Sequence, residues 1–258
     1  GLKVVSQDEM KEIEPHVKAI KALHAPKTGI VDYIKVTEVY ADQFRHNGGE
    51  VFLDTEVLGS EESNGKLIIR TNKGDIETKK VINCAGLHSD RIAKMFGMKT
   101  DLKIIPFRGE YYTLKKSKEH LVKGLIYPVP NPELPFLGVH FTQTMKGFVE
   151  AGPNAVLATK REGYRKRDIS LRDTLETFTY SGFWNLLKND WKTGIWEINR
   201  SLRKSVFVKS LRELIPEVNS SDLDVGGSGV RAQAVAPDGS LIDDFKIEYQ
   251  DRSIHVLN

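Results

Sequence analysis

A single cysteine, Cys84, is all the thiol chemistry these 258 residues offer. An intrachain disulfide is impossible, and a metal cluster built on several thiolates is excluded. A lone thiol with no disulfide framework suits a reducing compartment, so a cytoplasmic location is expected. No apolar run approaches the roughly 20 residues a membrane-spanning helix requires. A peripheral position on the inner face of the cell membrane stays open. No signal-peptide pattern opens the chain, because Gly1 to Met10 is mixed and polar.

Charge of one sign is scarce too. The 38 basic and 35 acidic residues leave a net charge of +3. A nucleic-acid partner needs a concentrated basic stripe and is not expected. The seven histidines show no ligand spacing, and no His-x-x-x-His or Gly-x-Ser-x-Gly occurs. Zinc and serine hydrolase readings therefore have no support, and no metal is expected. There is no internal repeat and no low-complexity tract. What remains is a globular composition, 40% hydrophobic and 28% charged, long enough for one large domain or two modest ones.

Periodicity and punctuation give the expected elements. Ser6 stands three residues before Glu9, a capping-box spacing, and Pro15 ends the short helix that follows. Val36, Val39, Tyr40 and Phe44 mark a helix that stops at Asn47-Gly48-Gly49. Strands are expected at Glu50–Leu53, Glu56–Ser60, Lys66–Thr71 and Asp75–Thr78, separated by turn signals as in a meander. The run Lys80-Val-Ile-Asn-Cys-Ala-Gly86 leads into a helix from Ser89 to Phe96, stopped by Gly97. Beyond Asp101, prolines punctuate short β-type runs such as Gly109 to Leu114. A polar helical region from Ser170 to Leu214 carries all three tryptophans, and strand-like text returns at Gly229–Ala234 and Ser253–Asn258.

Four stretches carry candidate chemistry. In Val81 to Asp90, a strand runs through Ala85-Gly86 into a helix start. Small residues there let backbone approach a dinucleotide, and Ser89 or Asp90 can cap the helix. The bland alternative is an ordinary strand–helix turn. In Gly226 to Gly239, Gly229 leaves room above a planar ligand and Arg231 can grip a carboxylate with two bonds. A solvated arginine beside a Pro-Asp-Gly turn is the alternative. Arg108, set among apolar residues in Ile104 to Tyr112, should be partly buried and need a partner, Glu110 or another carboxylate in the structural reading. His140 is a candidate base, although a satisfied core histidine is the commoner use of such a residue. The basic run Lys160 to Arg167 reads as a solvated face or as a rim steering an anionic substrate.

Several blocks in order resemble the L-2-hydroxyglutarate oxidase and dehydrogenase family, FAD-dependent and D-amino-acid-oxidase-like. They are Pro106-Phe-Arg-Gly-Glu-Tyr111, Leu125-Ile-Tyr-Pro-Val-Pro130, Pro135-Phe-Leu-Gly-Val-His140, Val149 to Ala155, Lys160 to Arg167, Gly229 to Gly239 and Leu241 to Phe245. The resemblance implies an α/β fold with an α+β substrate domain. An incomplete Rossmann-like FAD-binding domain (1–101 and 209–258) would be interleaved with a mixed-sheet substrate domain (102–208). It implies FAD contacts at Val57, Ala85, Gly86, Ser89, Gly229 and Val230. Arg231, Arg108 and Tyr127 would bind substrate, and His140 would be the base.

The family's Gly-x-Gly-x-x-Gly is missing from this chain. The nearest approach, Gly227-Ser-Gly229-Val-Arg-Ala232, runs into strand-like text and not into a helix. A Gly-rich flavin loop is expected beyond Asn258. The expectation is thus a fragment, inactive and without retained FAD by itself, whose parent oxidises L-2-hydroxyglutarate to 2-oxoglutarate. The partners implied are a small 2-hydroxy dicarboxylate and either oxygen or a membrane quinone, with self-association of the fragment plausible. The alternatives are a glycine- or sarcosine-type amine oxidase and a non-catalytic remnant.

Overall fold

The computed structural model describes residues 1–63, 65–130 and 138–258, apart from the side chains of Asn189, Asp190 and Lys192. Strand β1 (Lys3–Ser6) runs into helix α1 (Gln7–Ile13), and the expected capping box closes the joint. Ser6 accepts from the Glu9 amide, and Glu9 accepts from the Ser6 amide. β2 (Lys21–His24) pairs antiparallel with β1, a pairing no sequence signal announced. Helix α2 (Tyr33–His46) starts earlier than its apolar period suggested, because Asp32 caps the amides of Ile34 and Lys35. Glu50–Leu53 is no strand. Among the described strands none pairs with it, and the chain turns there with Asp54 at φ 52°.

The meander is present as β3 (Val57–Ser63), β4 (Lys66–Thr71) and β5 (Gly74–Thr78), joined antiparallel in that order. β6 (Val81–Asn83) leads through a turn of 3₁₀ helix, Gly86–His88, into α3 (Ser89–Met95). The helix ends as expected, with Gly97 at φ 76°. The N-cap is His88, without a side-chain capping bond. Ser89 already has helical angles, so neither it nor Asp90 performs the expected capping.

β7 (Lys103–Leu114) is followed by β8 (Leu125–Ile126), β9 (His140–Gln143), β10 (Val149–Gly152) and β11 (Val156–Leu157). The Pro135–Leu137 part of one resemblance block lies outside the described residues. The helical region resolves into α4 (Leu171–Phe178), α5 (Ser181–Leu202) and α6 (Lys204–Leu214). β12 (Leu223–Val235), β13 (Ile247–Tyr249) and β14 (Ser253–Val256) complete the chain. The largest sheet has the order β11-β7-β10-β9-β8, with β12 also on β7. A smaller sheet, β13-β14-β6, includes a parallel pair, β14 with β6. The fold class is mixed α/β, as the sequence led one to expect.

The chain divides into two compact units. Unit 1 comprises Gly1–Gly49, Gly109–Val156 and Lys192–Gly229. Its core joins Phe141, Val149 and Ala151 of the large sheet to Phe207, Leu211 and Ile215 at α6, with Val5 and Met10 of the N-terminal stretch. Unit 2 comprises Glu50–Arg108, Leu157–Trp191 and Val230–Asn258. One of its clusters joins Ala93, Met98, Leu102 and Leu257; another joins Ile105, Phe183, Leu186 and Val235.

Candidate functional site

In unit 2 the parallel strands β6 and β14 end side by side, with His255 in register with Asn83. Open α/β sheets bind their ligands outside the carboxyl ends of such strands. Asn83 organises the turn that leaves this end. Its Oδ1 accepts from the Ala85 amide at 3.1 Å, and its Nδ2 donates to the Ser89 carbonyl at 2.8 Å. The same Nδ2 lies 3.0 Å from His255 Nδ1. An amide nitrogen can only donate, so His255 Nδ1 accepts and the ring proton sits on Nε2. Nε2 then donates to Ser253 Oγ at 2.8 Å. Burial pushes the His255 pKa below its ordinary value, with Glu248 pulling weakly the other way.

Above this base, Cys84, Ala85 and Gly86 are exposed. Gly86 has φ 52°, and a Cβ added there would meet nothing within 4 Å. The bare backbone thus faces open space, which fits a cofactor approached by main chain. Ser89 belongs beneath the turn: it is fully buried, and its Oγ has no hydrogen-bond partner among the described residues.

The turn is also held from the side. Arg161 is only 2% exposed, as is Asp90, and the two form a two-pronged ion pair, Nη2 to Oδ2 at 2.9 Å. Burial alone would raise the Asp90 carboxyl. The hydrogen bond and charge of Arg161 outweigh it and hold the pKa below the usual value. Arg161 also donates to the Leu87 carbonyl. The expectation of a solvated basic face therefore fails at Arg161, whose carboxylate partner is 71 residues away in sequence. Next to this pair, Arg91 binds Asp173 and Glu176 of α4. Arg108, 6% exposed, is buried as expected, yet its Nη1 donates to the carbonyls of Gly163 and Arg165 at 3.4 and 3.2 Å.

Unit 1 carries His140 and Tyr127. His140 opens β9 and stacks on Tyr127, with ring centres 4.1 Å apart and planes at 17°. His140 Nδ1 lies 3.2 Å from the Gly138 carbonyl. A carbonyl only accepts, so Nδ1 carries the proton and Nε2 keeps the lone pair. Burial lowers the His140 pKa, against a smaller opposing effect of that bond. Tyr127 Oη sits 3.3 Å from Thr142 Oγ1. Thr142 is paired with Glu150, and Glu150 with Thr113, so these side chains share one face of the sheet with Tyr111. Burial raises the Glu150 carboxyl, opposed by Lys146, and raises the Tyr111 phenol, with Glu150 adding to it. The opposite face of these strands, with Phe141, Val149 and Ala151, lies in the core.

Of the expected site residues, Tyr127 and His140 come together, as do Ala85 and Gly86 on their turn. Val57 opens β3 opposite Thr71. Gly229, Val230 and Arg231 follow one another along β12, with Arg231 exposed and open space where a Gly229 Cβ would lie. Sequence reasoning missed Asn83, Glu150 and His255, and it gave Asp90 and Arg161 other roles, a helix cap and part of a basic run. Each acts through a partner far along the chain or across a strand pair, and no local pattern marks that.

Unit 2 thus has a parallel strand pair opening onto a bare glycine turn, and unit 1 a sheet with a half-buried histidine. Solved structures agree on the fold. L-α-glycerophosphate oxidase from Mycoplasma pneumoniae, with FAD bound, matches with a TM-score of 0.71 at 18% identity, over 99% of this chain and 58% of that one. L-proline dehydrogenase from P. horikoshii matches with a TM-score of 0.65 at 19% identity, over 98% and 57%. The family described as FAD dependent oxidoreductase matches residues 1–257, and the chain belongs to it. Among curated relatives, L-2-hydroxyglutarate dehydrogenase of Indibacter alkaliphilus is 52% identical over all of this chain and 65% of its own length. The enzyme of that name from Escherichia coli K12 is 44% identical over 98% and 60%. The chain thus spans about three fifths to two thirds of these relatives' length.

Proposed function

We propose that this chain is the greater part of an enzyme that oxidises L-2-hydroxyglutarate to 2-oxoglutarate. The main support is the likeness to dehydrogenases of that name, which runs the whole length of the chain. Bound FAD supplies the two-electron acceptor for the hydride leaving C2. Ala85 and Gly86 contact it through their backbone, Val57, Gly229 and Val230 add contacts, and Ser89 acts from beneath the turn. In this reading the cofactor residues fall in 1–101 and 209–258, and the substrate domain is 102–208 with Arg231 reaching in from the later segment.

His140 takes the hydroxyl proton at Nε2, the nitrogen left with a lone pair by the Gly138 contact. Tyr127 fixes the ring plane and offers its hydroxyl to the substrate. Arg231 grips a substrate carboxylate, where its planar fork matches two oxygens. Arg108, which the resemblance assigns to the second carboxylate, holds the 163–165 backbone through its Nη1. The electrons leave to oxygen or to a membrane quinone, which an oxygen electrode and a quinone analogue separate. The enzyme works from the cytoplasm, against the inner face of the membrane where quinone is the acceptor. Among the described residues no helix is long and apolar enough to cross a membrane.

The test is turnover by the flavin-loaded enzyme on L-2-hydroxyglutarate, glycine and sarcosine. Turnover of the hydroxy acid alone is expected, and faster oxidation of either amine would overturn the reading. The pH profile tests His140. Its depressed pKa keeps it neutral at neutral pH, so kcat/KM should be flat above about 6.5 and fall only on the acid side of that value. An acid limb centred above about 6.5, or one that survives His140→Gln, removes His140 as the base.

A further inference from the structure

The turn that bares Ala85 and Gly86 has few local supports. Asn83 ties down its base, and its helix has no side-chain cap. Beyond its own backbone bonds and a long contact of Arg91 with His88 at 3.5 Å, the other side chains that hold it among the described residues come from one loop more than 70 residues away. Arg161 donates to the Leu87 carbonyl in the middle of the turn while paired with Asp90 just after it. The next residue, Glu162, takes His88 Nε2 at 3.2 Å. Two consecutive residues of the loop therefore hold two consecutive residues of the turn.

The loop is itself fixed. The Arg161 amide donates to Asp173 at 2.8 Å, and Asp168 accepts from the Arg165 amide at 2.9 Å. Arg108 holds the carbonyls of Gly163 and Arg165. A plain structural ion cluster would need only the two Asp90 contacts and a longer one to Glu176 at 3.3 Å. The further bond, to the main-chain carbonyl of Leu87 in the turn, gives Arg161 control over where that backbone lies.

We propose that Arg161 is a positioning residue: it sets the Gly86–His88 turn and, through it, the backbone offered to the flavin cofactor. The cofactor half of this statement rests on the assignment of Ala85 and Gly86 under the proposed function. Lysine keeps the charge but lacks the planar fork, so Arg161→Lys cannot serve Asp90 and Leu87 together.

Two readouts are needed. The first is hydrogen exchange at the His88 and Ser89 amides, which close the turn on the Ala85 and Gly86 carbonyls. In Arg161→Lys their exchange should quicken about tenfold or more, the loss of one charged hydrogen bond, while the β3–β5 amides stay as they were. The second is FAD affinity of the holoenzyme, which should weaken about tenfold with KM for the substrate unchanged. Unaltered exchange at His88 and Ser89 overturns the proposal. Quickened exchange with unaltered FAD affinity keeps Arg161 as the turn's anchor and overturns both its cofactor role and the assignment of Ala85 and Gly86. If Arg161→Lys does not fold, Asp90→Asn loosens the same anchor at nearly constant shape, and the same two readouts decide.

Discussion

At the scale of single residues, unit 2 spends buried polar groups on holding one turn. His255 shows the consequence most directly. It is wholly buried, neutral, and bound through both ring nitrogens. Its folded pKa lies below its ordinary value, whereas the unfolded chain titrates near 6.5. Its contribution to stability is therefore complete above about 6.5 and is lost as pH falls through the folded value. Thermal melts between about pH 7.5 and 5 should show the melting temperature falling toward acid, with a shallower fall in His255→Gln. Equal slopes in the two proteins would show that His255 does not carry this dependence. His140 shares the depressed pKa for the same reason, burial, but leaves one nitrogen for chemistry. The sequence marked His140 as a candidate and His255 only as a histidine without ligand spacing, although both stand in short apolar runs. Only the neighbours tell them apart.

At the scale of elements, local chemistry was legible where one segment settles its own shape. The capping box at Ser6 and Glu9, the meander turns and the stop at Gly97 form as expected. The expectation failed where a distant partner decides. Glu50–Leu53 has the composition of a strand but no strand to join, and β1 and β2 pair without a turn signal between them. The Pro237-Asp-Gly239 turn was visible as a turn, yet its packing was not. Gly239 has φ 91°, and a Cβ there would lie 2.4 Å from the Leu186 amide of α5. Gly239→Ala should therefore cost more than about 1 kcal/mol in urea unfolding. Gly29, with open space around it and no positive φ, should accept alanine without loss. Similar costs at both positions would mean that the turn yields and α5 does not constrain it.

At the scale of the whole molecule, large apolar surfaces face solvent. No residue of α2 is buried, and Tyr33, Ile34, Tyr40 and Phe44 stand exposed along it. On α5 the exposed residues Trp184, Leu187, Trp191, Ile195, Ile198 and Leu202 recur at helical spacing. Contiguous apolar surface of this kind promotes association. The isolated chain should elute from gel filtration above its 29.1 kDa mass, increasingly so with concentration. A monomer at every concentration would show that these faces do not associate.

The sequence by itself determined the class of element in most segments, the FAD-dependent family, and the glycines where backbone must turn. These are local properties, or patterns held in order along the chain. Only the tertiary structure decided that Arg161 is buried on Asp90 and Leu87, that Arg108 holds a loop, and that Asn83 and His255 share a proton arrangement. A buried charge or amide takes its meaning from its partner, and those partners lie between 55 and 172 residues away. Nothing in the residues beside them records that distance.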